Sequence, residues 1–489
     1  ERNHNPNALL LDAGDTFQGN LFAYFFKDRP DNPIAGGMNL LDYDAFTLGN
    51  HEFNFGPTTF ASMLGQVDFP ILGAMNLDDD GSYGFINDNV VDYINLDVNG
   101  LKVTVFGLTN PRVYRYELPT NIPGLTFYSA TDTGIAAVPD ILADENPDLL
   151  VGLTHVGYMP YGGEIDSDEL LAQSVAGIDV LIGGHSHTYL NPAVMVSDPD
   201  NNPEGTLIAH ARRYAGFLGK VNVGFIDSQV VLREGYLLPT SEAEPDAELE
   251  AYLAPYLAEI DAYNATVIGQ TLVPIDGSEA YTEETNAANL QADAAIAELA
   301  AQEGVIVDVH LAGAMTSRKI AEGAPADLTK GDMFSLMPYE NSLVVFALNG
   351  PQIKEVLERG YRNWWWYNQG YPWGGYSHYT TCMPTTNEGN VISYTGHLTT
   401  EPDGNNVSSL AIDGAPVDFT DATTYYNVST VNYLAAGSCN FNDAGVTIWP
   451  LAQIVADTQL YVRDSVIDYI IDEVVISPAI EGRLVFPTP

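Results

Sequence analysis

The chain has 489 residues, 46% of them hydrophobic and 11% aromatic, which is the composition of a globular protein and not of a disordered one. This length exceeds one ordinary hydrophobic core and favours two domains of about 200 residues each. With 65 acidic against 18 basic residues, a formal net charge of −47, the surface would repel nucleic acid and anionic membranes, so neither is expected as a partner.

The first half of the sequence alternates short apolar runs with helical or loop segments, which is typical of a layered α/β domain. Four of these runs end at an Asp, Asn or His: Leu9–Leu11, Ala45–Leu48, Leu149–Leu153 and Val180–Ile182. Because α/β folds gather their chemistry beyond the carboxyl ends of the strands, we expect these polar groups along one edge of a single sheet. Further strands are predicted over Leu101–Leu108 and Gly219–Ile226.

The residues at these strand ends are of the types that hold divalent transition metals, namely Asp15, Asn50, His155, His185 and His187. A two-metal hydrolase holds its ions about 3.5–4 Å apart, normally with one bridging carboxylate, and Asp15 is the natural bridge. His185 and His187 need a turn to converge, and Gly183 and Gly184 are expected to supply it. Any one of these histidines alone would more often be structural, but the four strand ends together predict a metal centre.

The boundary between the domains is marked by an acidic segment, 241–250, followed by apolar residues at helical spacing. This pattern predicts an amphipathic helix over 246–263. We therefore expect a first domain over 1–240, a linker helix within 241–264 and a second domain over 265–489. The second domain is expected to mix helices with strands, the helices over 287–303 and 351–360 and the strands over Val305–Val309 and Ser342–Ala347.

Two features of the second domain leave alternatives open. The segment Tyr361–Tyr379 is rich in Trp and Tyr and is either a packed loop at an interface or a stacking platform for a flat ligand. Cys382 and Cys439 are the only cysteines. They form either one disulfide in an oxidising compartment or two buried thiols.

Several motifs resemble those of a known family. Gly14-Asp15, Gly49-Asn50-His51-Glu52, Thr154-His155 and Gly183-Gly184-His185-Ser186-His187 resemble the signature blocks of the calcineurin-like metallophosphoesterases. Their order and the second domain are similar to the 5′-nucleotidase branch, which also includes UDP-sugar hydrolases and cyclic-nucleotide phosphodiesterases. The resemblance implies a four-layered α/β/β/α metallophosphatase domain, an α/β nucleotide-binding C-terminal domain, and two divalent metal ions such as Mn or Zn. It also implies a domain rotation that carries substrate to the metals.

The resemblance also implies roles for individual residues. Asp15 would bridge the two ions, with Asn50, His155 and His185 completing one site and His187 binding the other ion; Asn50 would also contact substrate. His51 would donate a hydrogen bond or proton to the phosphate or leaving oxygen. Asn54 stands where the family often has Asp, so it would orient the His51 imidazole, and acid catalysis would be weaker or depend on Glu52. The family's Asp-x-His motif does not precede Asp15. Either it lies on a strand upstream of Glu1, as we expect, or this metal site is broken.

In the second domain the resemblance points to two substrate-binding residues. Arg318 would bind phosphate, since a guanidinium pairs with phosphate through two hydrogen bonds, and a surface Arg is the alternative. His310 stands where the family has Asn in this loop. Tyr433 would be one of two aromatic rings that clamp the base. Gly437-Ser438-Cys439 replaces the family's Gly-Gly-Asp, so the Asp that would read the ligand is absent.

The sequence therefore predicts a metal-dependent phosphoester hydrolase that releases phosphate from nucleotides, in an extracellular, periplasmic or cell-surface setting where salt screens the acidic surface. The alternatives are a cyclic-nucleotide phosphodiesterase or UDP-sugar hydrolase, and a non-catalytic surface protein that retains the fold. No apolar run is long enough for a membrane span. The Pro- and Thr-containing end, Val485–Pro489, points to a linker, and a surface anchor or further domains beyond both ends are left open.

Overall fold

The helix Ala247–Asn264 carries the boundary between two units of the chain, Glu1–Leu257 and Ala258–Pro489. The computed structural model describes residues 5–160, 166–301, 305–313, 316–368, 384–396 and 400–487. Ile260 is the buried residue of this helix, and Leu257 is 48% exposed. The domain limits expected from the sequence remain predictions. Within the described residues, no helix combines the length and the apolar character needed to cross a lipid bilayer.

The first unit is built on two β-sheets. The short sheet has four parallel strands in the order Leu11–Asp12, Ala45–Thr47, Ile71–Leu72 and Val90–Val91. The long sheet has six strands in the order Val194–Asp198, Asn202–His210, Val180–Gly183, Leu149–Thr154, Leu101–Leu108 and Tyr93–Val98. Its inner four strands are parallel, and its two edge strands pair antiparallel to their neighbours.

The two sheets share one hydrophobic core. Ala45 and Leu72 of the short sheet lie in the same buried cluster as Val105 and Val151 of the long sheet. Successive side chains of a strand point to opposite faces, so the neighbouring Phe106 and Leu150 lie in a second cluster with residues of the helices Ala130–Glu145 and Asp168–Ser174. The connections of the short sheet contain two further helices, Pro33–Leu40 and Gly56–Leu64. The predicted α/β/β/α layering is confirmed.

The four strands that release polar residues do not lie in a single sheet, so that prediction is wrong. Leu11–Asp12 and Ala45–Thr47 belong to the short sheet, whereas Leu149–Thr154 and Val180–Gly183 belong to the long sheet. The strand ends of the two packed sheets nevertheless meet, since His155 of the long sheet reaches Asp15 beside the short one. The polar rim is therefore made jointly by two sheets.

Side-chain caps explain where several helices begin. Asn32 Oδ1 accepts the N–H groups of Ile34 and Ala35 at the start of Pro33–Leu40, and a Pro at the first position needs no hydrogen-bond partner. Ser129 caps Ala130–Glu145 in the same way. The remaining helices of the first unit are Leu21–Phe26, Ile86–Asn89 and the 3₁₀ turns His51–Phe53, Val113–Arg115 and Thr240–Glu242.

The other strands of the first unit form two antiparallel pairs. The strand expected over Gly219–Ile226 is Phe217–Ile226, which forms a hairpin with Gln229–Pro239. Leu77–Asp79 pairs with Leu125–Phe127. Leu101–Leu108 has the predicted bounds.

The second unit has three larger sheets among its described residues. Their strand orders are Ala326–Thr329, Val267–Thr271, Val475–Ile476; then Val309–His310, Tyr425–Val431, Ser342–Asn349, Ile454–Tyr461; and Ala415–Pro416, Val407–Ile412, Val391–Tyr394, Leu484–Val485. Two-stranded pairs join Ile275–Asp276 to Lys319–Ile320, Ala312–Gly313 to Pro384–Thr385 and Asn442–Asp443 to Val446–Thr447. The helices are Asn286–Ala301, Lys330–Leu336, Gly350–Asn368, Asn432–Ala435 and Val462–Glu473, with a 3₁₀ turn at Leu451–Gln453.

The aromatic segment begins inside a helix and not in a loop. Trp364, on Gly350–Asn368, is 1% exposed, and its Nε1 donates to the carbonyl oxygen of Tyr281. Its ring stacks on Phe486 at 5.4 Å between centroids, and Phe486 stacks on Tyr394 at 4.8 Å. Trp364 is therefore a core residue, while the part of the segment beyond Asn368 lies outside the described residues. The strand expected over Val305–Val309 is reduced to Val309–His310, so most of that prediction is wrong.

Candidate functional site

One buried carboxylate joins the two loops that follow the strands Leu11–Asp12 and Ala45–Thr47. Glu52 is 0% exposed, and its oxygens accept the backbone N–H groups of Gly49 at 2.7 Å, Asp15 at 2.9 Å, Thr16 at 2.8 Å and Phe17 at 3.2 Å. These bonds fix the backbone of Asp15, which has a φ of +63°. A carboxylate engaged in this way shapes the site, and this position does not suit the acid catalysis that the sequence allowed for Glu52.

The loop glycines let these segments approach each other closely. Gly14 has a φ of +89°, and a Cβ at this position would lie 2.6 Å from Gly49 N and 2.9 Å from His155 Nδ1. A Cβ on Gly49 would lie 2.3 Å from Asp15 Oδ1. Any larger residue at either position would therefore push Asp15 or His155 away.

Asp15, His155 and His185 form the candidate metal centre. Their ligand atoms lie within 4.8 Å of one another, the only such group of potential ligands in the part of the chain that the structure describes. His155 Nε2 is 2.9 Å from Asp15 Oδ2, and Asp15 Oδ1 accepts the backbone N–H of His51 at 2.9 Å. The structure thus gathers side chains from both sheets at the rim.

His155 is oriented by the backbone beneath it. Its Nδ1–H donates to the carbonyl oxygen of Ala13, so Nε2 is the nitrogen presented to Asp15. This Nε2 is buried and forms an ion pair with the carboxylate of Asp15. Burial opposes the charged form of both groups, but the attraction between them raises the pKa of His155 to about 9 and lowers the pKa of Asp15 well below its usual range.

Asn50 and His185 are neighbours in the site. His185 Nδ1 and Asn50 Oδ1 are 2.9 Å apart, and His185 Nε2 lies 3.5 Å from the hydroxyl of Tyr116. Asn50, expected both as a ligand and as a substrate contact, therefore lies at the rim. His187 is exposed, lies 6.0 Å from Tyr214 between ring centroids, and does not join the close group among the described residues.

The expected turn between the two histidines has a different origin. The positive φ angles fall on His185 (+69°) and His187 (+54°), not on the glycines before them. Gly184 is required by space, because a Cβ there would lie 2.8 Å from His155 Nδ1, and Gly183 would meet Asp168 Oδ2 at 2.0 Å. The expectation that these glycines supply the turn is wrong.

His51 and Asn54 lie side by side on the loop after Ala45–Thr47. His51 Nδ1 is 2.7 Å from Asn54 Oδ1, so the amide holds the imidazole as the sequence suggested. Asn54 Nδ2 in turn donates to Glu117. The sequence did not predict this contact, since Glu117 lies 63 positions further along the chain. Nothing local in the sequence marks Glu117.

A second network that the sequence reasoning missed lies under the ends of the long sheet. Asp168 is 0% exposed, accepts the hydroxyl of Thr154 at 2.6 Å and pairs with His210 Nε2 at 2.7 Å. Thr154 directly precedes His155 and Asp168 lies beside Gly183. The network therefore supports the strand ends that carry two of the three potential ligands.

The substrate residues expected in the second unit lie on separate elements. Arg318 is exposed just before the strand Lys319–Ile320, and its Nη1 donates to the carbonyl oxygen of Ser335 at 2.9 Å. Tyr433 is half-buried in the helix Asn432–Ala435. His310 is 0% exposed, and its Nδ1 is 2.8 Å from Ser429 Oγ, so it is a core residue. Cys439 is buried and is not a free thiol. Cys382 lies outside the described residues, so the pairing stays a prediction.

Two long stretches of the chain match known protein families. Residues 1–189 match the calcineurin-like phosphoesterase family, and residues 267–444 match the 5′-nucleotidase C-terminal domain. The chain belongs to the 5′-nucleotidase family of calcineurin-like phosphoesterases. This 5′-nucleotidase family member is 26% identical to a 5′-nucleotidase precursor from Thermus thermophilus, with a TM-score of 0.66 over 98% of this chain and 90% of that one.

Two curated relatives of this family member are longer than it is. It is 32% identical over 482 residues to the trifunctional nucleotide phosphoesterase protein YfkN of Bacillus subtilis (strain 168). The aligned region covers 90% of this chain and 30% of YfkN. It is 29% identical over 382 residues to the 5′-nucleotidase of Rattus norvegicus, which covers 73% of this chain and 63% of that protein. The chain thus spans less than two thirds of either relative.

The donor set fits the divalent metals that calcineurin-like phosphoesterases use. A carboxylate and two imidazoles are common ligands of Zn and Mn, and an amide oxygen from Asn50 lies beside them. The carbonyl oxygen of Ala13 holds Nδ1 of His155, so Nε2, 2.9 Å from Asp15 Oδ2, is the nitrogen that faces the candidate metal centre. This arrangement of donor atoms therefore fits a divalent metal ion.

Proposed function

We propose that this protein is a metal-dependent phosphoester hydrolase that releases phosphate from nucleotides outside the cell. The observation that carries the proposal is the convergence of Asp15, His155 and His185 from two sheets onto one point, with ligand atoms within 4.8 Å. His51 lies beside this point, since its backbone N–H bonds Asp15 Oδ1. Family membership supports the same chemistry.

The proposed metal centre holds two divalent ions. Five side chains would hold these ions: Asp15, Asn50, His155, His185 and His187. Bound divalent ions neutralise phosphate charge and lower the pKa of water, which is the chemistry that a phosphoester hydrolase needs. Each remaining task falls to side chains of this chain.

Side chains of the protein orient the imidazoles of the site and donate a proton to the leaving oxygen. The short contact from His155 Nδ1 to Ala13 holds this imidazole so that Nε2 stays available for a cation. His51 is held at Nδ1 by Asn54, which leaves Nε2 on the other side of the ring. When the ring is protonated at both nitrogens, Nε2 donates its proton to the leaving oxygen and the neutral ring keeps its proton on Nδ1. A nucleoside 5′-oxygen is a poor leaving group, so this proton is needed for release. Arg318 and Tyr433 of the second unit bind the phosphate and the base.

A broader substrate range is the second candidate. The relative YfkN, 32% identical over 482 residues, is named as a trifunctional nucleotide phosphoesterase. Asn54, in place of a carboxylate, and Cys439, in the position of the family's Asp, both depart from the expected pattern. We therefore include cyclic nucleotides and UDP-sugars among the substrates to be tested.

The test measures phosphate or alcohol release from AMP, cyclic AMP and UDP-glucose with Mn or Zn added to metal-stripped protein. We expect release from at least one nucleotide, and loss of that release together with bound metal in Asp15→Asn. The matched control is Asp44→Asn, which changes a carboxylate that accepts the backbone N–H of Leu10, just before the strands Leu11–Asp12 and Ala45–Thr47. Absence of release from all three substrates by metal-loaded protein would refute the proposal and favour a non-catalytic surface protein.

A further inference from the structure

Four polar side chains, with His51 among them, form a hydrogen-bonded cluster next to the candidate metal centre. His51 Nδ1 is 2.7 Å from Asn54 Oδ1, Asn54 Nδ2 donates to Glu117 Oε1, and Asn121 Nδ2 donates to Glu117 Oε2 at 2.7 Å. Asn121 Nδ2 also donates to the carbonyl oxygen of Asn54 at 3.0 Å. Glu117 is 1% exposed and Asn121 is 3% exposed. These hydrogen bonds therefore connect His51, through the amide of Asn54, to a buried carboxylate.

The hydrogen-bond chemistry of this cluster has a direction. A carboxylate only accepts hydrogen bonds, whereas an amide side chain has one accepting and one donating end. Glu117 therefore requires Asn54 to present its NH₂ group, which leaves Asn54 Oδ1 for His51. Since Oδ1 only accepts, the proton of a neutral His51 ring must lie on Nδ1, and Nε2 faces the other way.

We propose that Glu117 is a positioning residue for His51, which fixes the imidazole tautomer through the amide of Asn54. A carboxylate at position 54 would orient His51 by direct contact, whereas Glu117 orients it through Asn54. The inference rests on the proposed hydrolase function for its kinetic consequence, but the tautomer itself is a property of the folded chain without substrate or metal.

The segment that carries Glu117 is well placed for this role. It follows the turn Val113–Arg115, where Glu117 N bonds the carbonyl oxygen of Val113 at 3.0 Å. The preceding residue, Tyr116, places its hydroxyl 3.5 Å from His185 Nε2. One short segment therefore contacts both the candidate metal centre and the hydrogen-bonded cluster, and its backbone bonds hold Glu117 in place.

Glu117→Gln is the decisive substitution, because glutamine keeps the shape but can no longer accept from both Asn54 and Asn121. One of the two amides must then turn, and a turned Asn54 would place its NH₂ against His51 and favour the Nε2–H tautomer.

The rescue variant is Asn54→Asp combined with Glu117→Gln. In it, the new carboxylate at position 54 accepts from His51 directly and the new amide at position 117 donates to that carboxylate, so a single carboxylate is kept within the cluster. Glu145→Gln is the matched control, since Glu145 also accepts from an amide (Asn95, 2.8 Å) and a hydroxyl (Tyr93, 2.8 Å).

The first measurement is independent of activity. Long-range ¹H–¹⁵N spectra of metal-free protein labelled with ¹⁵N-histidine report the tautomer of each ring, with His51 assigned through His51→Ala. We expect Nδ1–H for His51 in the original protein, in Glu145→Gln and in the double variant, and a mixture or Nε2–H in Glu117→Gln. An unchanged His51 tautomer in Glu117→Gln would overturn the proposal.

The second measurement separates positioning from folding. We expect Glu117→Gln to lower kcat for AMP by about tenfold or more with KM changed less than about twofold, while p-nitrophenyl phosphate, whose leaving group needs no proton, is hydrolysed nearly normally. The double variant should return kcat for AMP to within about threefold of the original. Equal loss on both substrates, or no recovery in the double variant, would overturn the proposal.

The outcomes remain informative if one part fails. If no variant and no original protein hydrolyses any substrate, the proposed function fails while the NMR experiment still decides the tautomer. If Glu117→Gln does not fold, as judged by circular dichroism, the double variant keeps the same number of carboxylates and amides and is tested alone. An Nε2–H tautomer of His51 in that folded double variant would refute the proposal.

Discussion

The replacement of Glu52 by glutamine tests how the site is held together. Glu52 accepts four backbone N–H groups with two oxygens, at distances of 2.7–3.2 Å, and is 0% exposed. Glutamine keeps one accepting end, so its NH₂ group must face two of these N–H groups in either orientation. Two buried backbone donors would then lose their acceptor.

The magnitude follows from these two lost bonds. A hydrogen bond to a charged acceptor is worth about 1.5–3 kcal/mol, so two of them are worth about 3–6 kcal/mol. The neutral amide costs less to bury than the carboxylate, which offsets part of this loss. We therefore expect Glu52→Gln to lower the free energy of unfolding by about 2–4 kcal/mol, a large share of the total for a typical domain. Because the Glu52 carboxylate also fixes the backbone of Asp15, metal affinity should fall by about 10–100-fold.

The assay combines urea unfolding, followed by circular dichroism, with calorimetric titration of Mn or Zn into the folded protein. The matched control is Glu284→Gln in the second unit. Glu284 is 7% exposed and accepts the backbone N–H groups of Glu481, Gly482 and Leu484 at 2.8–3.2 Å. This control should lose comparable stability and keep its metal affinity. The reasoning is refuted if Glu52→Gln has the same urea midpoint of unfolding as the original protein. It is also refuted if Glu52→Gln and Glu284→Gln lose metal affinity equally.

Three further predictions concern single side chains. His51→Ala should remove most hydrolytic activity and leave the metal content, measured by mass spectrometry, unchanged; an equal loss of metal would make His51 a ligand. Trp364→Ala should lower the free energy of unfolding by about 3–5 kcal/mol in urea titrations, because Trp364 is 1% exposed and stacks on Phe486; a loss below about 1 kcal/mol would contradict its place in the core. Burial lowers the pKa of His310 to about 4, whereas a histidine in the unfolded chain titrates near 6.5. The unfolded chain therefore binds a proton first, and the stability of the fold falls as the pH drops from 6.5 to 4. This fall should amount to about 3 kcal/mol and should be absent in His310→Gln; the same fall in that variant would assign it to other groups.

The convergence of Asp15, Asn50, His155 and His185 could be predicted because these residues lie in short local patterns. An apolar run followed by Gly and then Asp, Asn or His describes a buried strand and the turn that ends it, and both are set by neighbouring residues. Asp15, Asn50, His155 and His185 are all found together at the rim. The same reasoning could not assign the strands to sheets. A run of alternating or continuous apolar residues shows that a strand is buried, but not which of two packed sheets contains it.

The glycines show a second limit of local reasoning. Gly183 and Gly184 were expected to adopt unusual backbone angles, yet those angles fall on His185 and His187. Glycine serves two purposes, backbone freedom and close approach, and a sequence cannot distinguish them. Only the position of His155 Nδ1, 2.8 Å from where a Gly184 Cβ would lie, shows that space is what this site requires.

The residues that support the ligands were largely invisible in the sequence, and the reason is their separation along the chain. The hydrogen bonds that shape the site join Asp15 to Glu52, Asn54 to Glu117 and His155 to Ala13, which are 37, 63 and 142 positions apart. In a chain with 65 acidic residues, a supporting carboxylate resembles any solvated one until burial is known. Burial separates them, because Glu52 and Glu117 are 0% and 1% exposed and each has both oxygens bonded. Burying a carboxylate costs free energy unless its oxygens accept hydrogen bonds, as those of both glutamates do. Substitutions at Glu52 and Glu117 should therefore separate the effects on folding, metal binding and proton transfer.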